Sequence, residues 1–87
     1  MDNKTFIEKC ISLVVAYYNE KADKTNFNPI TAEDVFVVWS CKTLQNNKAL
    51  LSTTVRDGMY YELTHNGDKG EIYFDAYKKW ENVCWKV

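Results

Sequence analysis

Cys41-Lys42-Thr43 and the sole histidine, His65, are the residues of this chain whose types could do chemistry. A lysine followed by a threonine ends a phosphate-binding loop, and a cysteine near a histidine is the core of a nucleophilic pair. Neither has the surroundings that its chemistry needs. A phosphate loop requires glycines, so that backbone N–H groups can close around the oxygens, and then a helix whose N-terminus faces them. No glycine precedes Gly58, and the segment after Thr43 reads as a returning strand. A thiolate requires a base and an electropositive setting, whereas Cys41 and Lys42, as successive strand residues, point to opposite faces. His65 stands beside an Asn-Gly turn and reads as a solvated turn residue.

Metal chemistry fares no better. Cys10, Cys41, Cys84 and His65 lack the short Cys-x-x-Cys spacing that gives a structural zinc site its signature. Cys10 and Cys84 fall on apolar helical faces, where a free thiol packs as a small hydrophobe. Glu33-Asp34 sits at a helix start and Asp57 beside a turn, which accounts for those carboxylates, while Lys78-Lys79 reads as a solvated helix side. The expectation is no catalytic residue, no metal and no cofactor.

The elements that carry these residues follow from periodicity. Phe6, Ile7, Cys10, Leu13, Val14, Tyr17 and Tyr18 recur at steps of three and four, which predicts an amphipathic helix. Its start falls at Thr5, with Glu8 completing a capping box, or one turn earlier at Asp2 or Asn3. Residues 23–29 form the exit loop. Thr31 to Asp34 reads as one helical turn leading into a strand, after which the period becomes two. Strands are predicted from Val35 to Lys42, Ala49 to Val55, Met59 to His65 and Glu71 to Phe74. Leu44 to Lys48, Asp57-Gly58 and Asn66 to Gly70 separate them as turns, with Asn46 and Asn47 suited to left-handed backbone. After Phe74, the spacing of Ala76, Tyr77, Trp80, Val83 and Cys84 suits a short closing helix, although Val83, Trp85 and Val87 also alternate as in an extended tail. The fold class is α+β: a four-stranded antiparallel meander with an N-terminal and a short C-terminal helix, one domain over residues 1–87.

Strict alternation assigns Val35, Val37, Trp39, Cys41, Leu51, Val55, Met59, Tyr61, Leu63, Ile72 and Phe74 to one face, which should receive the first helix. The other face carries Ser40, Lys42, Ser52, Thr54, Glu62 and Thr64 together with Phe36, Val38, Leu50, Tyr60 and Tyr73. Five apolar residues there approach the patch size that signals a partner. The covers available are the closing helix with Trp80, a second copy of the chain or a foreign protein. Phe36, Val38, Lys42, Tyr60 and Tyr73 are the candidate binding patch.

Composition narrows the partner. Eleven Lys and Arg against twelve Asp and Glu give a net charge of −1, and Arg56 is the only arginine. A single-stranded nucleic acid could stack on Phe36, Tyr60 and Tyr73 beside Lys42, but the electrostatic groove that normally accompanies such a platform is missing. The longest apolar run, Ile11 to Tyr18, is too short to cross a bilayer. Three widely spaced cysteines and a start of Met-Asp-Asn-Lys, without a basic-then-apolar leader, read as reduced thiols in a cytoplasm.

The stretches VVWSCKTLQNNKALLSTT, DGMYYE, NGDKGEIY and DAYKKWENV together resemble a family of small uncharacterised proteins encoded by phages and prophages of Gram-positive bacteria. The likeness runs from the first helix to WENVCW. It implies a viral accessory protein in the bacterial host cytoplasm that binds a host or phage protein without catalysis. It brings no catalytic or ligand residues with it.

Overall fold

The computed structural model describes residues 1–21 and 28–87. Helix α1, Asn3–Lys21, is followed by a short 3-10 turn, Ala32–Asp34, and four strands: β1 Val35–Thr43, β2 Asn46–Thr53, β3 Met59–Asn66 and β4 Glu71–Lys78. The strands form one antiparallel sheet in the order β1-β2-β3-β4. The α+β class and the meander are therefore as the periodicity predicts. The exit loop lies mostly outside the described residues.

The earlier of the two helix starts is the one adopted. The Thr5 N–H donates to Asp2 Oδ1 at 2.7 Å, so Asp2 satisfies a donor that the first turn leaves free. Phe6, Cys10 and Val14, one per turn, are fully buried against Ala49, Leu51, Tyr61 and Leu63. At the other end of the helix Tyr17 packs on Phe74, ring centroids 4.8 Å apart, and edge-on to Tyr61 at 5.8 Å. The returning chain is clamped by Asn19, whose amide donates to the Ile30 carbonyl at 3.1 Å and accepts from the Ile30 N–H at 2.9 Å.

Three departures from strict periodicity shape the molecule. First, β1 slips by one residue against β2: Val37 pairs with Leu51 but Trp39 pairs with Leu50. Val38 is the inserted residue of a β-bulge, and beyond it every side chain changes face. Trp39 and Cys41, expected under the helix, lie on the open face, and Ser40 and Lys42 move to the helix side. Second, no closing helix forms. Ala76 and Tyr77 pair with Tyr61 and Tyr60 inside β4, and Lys79 to Val87 runs as an exposed tail outside any helix or strand. Cys84 is accordingly exposed and not part of an apolar helix face. Third, β2 begins at Asn46 and its turn is Leu44-Gln45, with Leu44 at φ 55°. The burial of Asn47, Ala49 and Leu51 fixes the phase of β2, so the left-handed position falls on leucine and not on either asparagine.

The product is a half-sandwich. One helix covers one face of four strands, and the described molecule measures 43 × 39 × 20 Å with a radius of gyration of 14.4 Å, against about 12 Å for a compact domain of this length.

Candidate functional site

The uncovered face of the sheet is built from three cross-strand rows, since directly paired residues share a face. Phe36, Ser52, Tyr60 and Tyr77 make the first, Trp39, Leu50, Glu62 and Asp75 the second, and Cys41, Lys48, Thr64 and Tyr73 the third. Phe36, Trp39, Tyr73 and Tyr77 remain 41–52% exposed. Two recesses flank the middle row. One of about 370 Å³ is lined by Phe36, Ser52, Tyr60 and Lys79 among others, and one of about 210 Å³ by Cys41, Thr43, Lys48 and Thr64 with Asn46 and Asn47.

Carboxylates give this face its electrostatic character. The Tyr73 hydroxyl donates to Glu71 Oε1 at 3.1 Å, and that bond and charge hold its phenol above the ordinary value. Tyr77 is raised by the charge of Glu62 and then of Asp75. Lys48 lies 3.8 Å from Glu62, a loose surface pair. Glu62, Glu71 and Asp75 outnumber Lys48 along the rows, while Arg56 and Lys79 line the first recess and balance them.

Of the predicted patch, Phe36, Tyr60 and Tyr73 come together on this face, and Val38 stands half-exposed at the bulge. Lys42 does not join them. It pairs with Asn47 on the helix side, and its ammonium donates to the Leu44 carbonyl at 2.7 Å. Asp2, held below the ordinary carboxylate range mainly by the Thr5 hydrogen bonds, also feels the Lys42 charge, as expected for a lysine beside the helix start. Trp39 and Tyr77 are the members that alternation missed: the bulge hid the first, and the assumed helix hid the second.

The reactive types end up apart. Cys41 is exposed on the open face. His65 is buried on the helix side, not solvated, with Nδ1 3.1 Å from Asn47 Oδ1 and its ring 6.3 Å from that of Phe6. The sheet stands between them, so no Cys–His pair forms. Cys10 is enclosed in the core, where burial pushes its thiol up to about 12. Among the described residues no group of three His, Cys, Asp or Glu could hold a metal ion, and no helix is long and apolar enough to cross a membrane.

The model of a family of unknown function, DUF6275, matches residues 7–87. The chain belongs to that family. No curated protein and no solved structure matches the chain. The DUF6275 match runs through β4 and the tail, so the open face and Lys79 to Val87 both lie inside the family's domain.

Proposed function

We propose that this DUF6275 protein is a non-catalytic binding module, and that the open sheet face centred on Trp39, Tyr73 and Tyr77 is the surface with which it engages another protein. The observation that carries this reading is the aromatic face itself, four side chains 41–52% exposed on a sheet with a helix on its other side only. Aromatic residues on rigid strands supply large contact areas at small entropic cost and dominate interface energetics. The likeness of the chain, from the first helix to WENVCW, to small phage and prophage proteins supports a phage-encoded accessory factor, working in the cytoplasm of a bacterial host on a host or phage protein.

Single-stranded nucleic acid is the alternative occupant, favoured by the aromatic rows and Lys48. The carboxylates of Glu62, Glu71 and Asp75 in and beside those rows oppose a phosphate backbone. Affinity capture from host cells, followed by reconstitution with the purified partner, tests the proposal. A defined complex formed by the wild-type protein and lost with Trp39→Glu plus Tyr73→Glu, the fold unchanged by circular dichroism, supports it. Salt-sensitive binding of an oligonucleotide without any protein complex replaces it with the alternative.

A further inference from the structure

We infer that the open sheet face receives the C-terminal tail of a second copy of this chain, in a two-fold dimer that exchanges residues 80–87 reciprocally. The inference deepens the binding reading above and rests on it for the choice of face.

The chain exposes 6481 Å², whereas a compact 10.2 kDa monomer exposes about 5,300 Å². The excess, about 1,200 Å², exceeds the ~800 Å² per partner of a standard stable interface. Two apolar surfaces stand open. On the tail, Trp80 and Trp85 are 96% and 82% exposed, with Val83 and Val87 beside them, and on the sheet the aromatic face is about half exposed.

The Lys79 N–H donates to the Gly58 carbonyl at 2.7 Å, so the chain leaves the sheet along the line of β4, beyond the end of the ladder. No glycine or proline follows to turn it back over its own face. If extended on the partner, the eight residues from Trp80 reach about 26 Å, most of the length of β1, and alternation sets Val83, Trp85 and Val87 on one side.

The arrangement is also reciprocal. A two-fold axis makes each contact twice, since each copy offers both tail and face.

The test uses the full chain. Light scattering over a range of concentrations should give twice 10.2 kDa for the wild type. Val83→Ser with Trp85→Ser on the tail, or Trp39→Glu on the face, should each weaken the dimer by about 100-fold or more, as loss of central aromatic anchors does. All of these residues are exposed, and circular dichroism verifies that each variant is folded. An equimolar mixture of the tail and face variants, which keeps one intact tail-to-face contact, should associate more strongly than either variant alone. A wild-type monomer at every concentration, or a dimer indifferent to the tail substitutions, overturns the inference. If that monomer still captures a partner protein through Trp39 and Tyr73, the binding reading survives. If the dimer forms and no foreign protein does, the tail exchange stands and the reading of a foreign target falls.

Discussion

Replacing Gly67 by alanine should harm this fold more than replacing Gly70, although Gly70 is the one with left-handed backbone. Gly70 sits at φ 64° with nothing within 4 Å of the position a Cβ would take. Alanine there pays only the left-handed penalty, about 1 kcal/mol. Gly67 has no positive φ, but a Cβ would lie 2.8 Å from Gln45 Cβ and 2.9 Å from its Cγ, and closer still to the Gln45 carbonyl oxygen. A backbone oxygen cannot swing aside, so the β1–β2 and β3–β4 turns must part. Overpacking of that kind costs about 1–3 kcal/mol. Separation also strains the Gly67 N–H bond to Asn46 Oδ1, 3.0 Å, and the Gln45 Nε2 bond to Asp68 Oδ1, 2.7 Å, adding about 1 kcal/mol for two exposed bonds. The total of about 2–4 kcal/mol corresponds to a Tm loss on the order of 10–25 °C in a domain this size. Thermal and urea denaturation of the two variants side by side measures it. Equal destabilisation, or a milder effect at Gly67, would refute the packing of the two turns.

Other consequences are quickly checked. Leu44→Gly should raise stability by about 1 kcal/mol, because an exposed leucine at φ 55° occupies a position suited to glycine. At concentrations low enough to keep the chain monomeric, a thiol reagent should modify Cys41 and Cys84 rapidly and Cys10 only on unfolding, as exposure and the raised Cys10 thiol require. Alkaline pH should unfold the protein in a defined window. Burial pushes Cys10 from 9.0 to about 12, and burial, followed by the Asp57 charge, pushes Tyr61 from 10.0 to about 12. The folded state thus holds these protons more tightly than the unfolded one, so their contribution is complete below pH 9 and is lost as pH rises from 9 towards 12. Far-ultraviolet circular dichroism against pH should show that fall, and a flat profile to pH 12 would contradict the enclosed core.

Local chemistry made much of this architecture legible. The 3.6-residue rhythm of Phe6, Cys10 and Val14 marks the helix and its buried stripe, and the Asp-Gly and Asn-Gly pairs mark turns that the meander uses. What stayed hidden depends on pairing between strands. A bulge at Val38 leaves no mark in the alternation of β1, because Val37, Val38 and Trp39 are all apolar and either phase looks sound; only pairing with β2 reveals that Trp39 and Cys41 turn outward. Ala76 and Tyr77 fit a helix by spacing, yet β3 continues to Met59 and offers them a ladder. His65 looks like a turn residue, but the register opposite Asn47 carries it under the helix. Face assignment, and with it most of the candidate site, is a property of register.

The most direct test of the open face as the binding surface is site-specific photo-crosslinking in host cells, with a photoreactive phenylalanine analogue in place of Tyr73 on that face or of Glu8 on the outer side of the helix. The account predicts a covalent adduct from position 73, with a second copy of this chain or with one defined partner protein, and none from position 8. Adducts from position 8 alone, or equally from both, would contradict it.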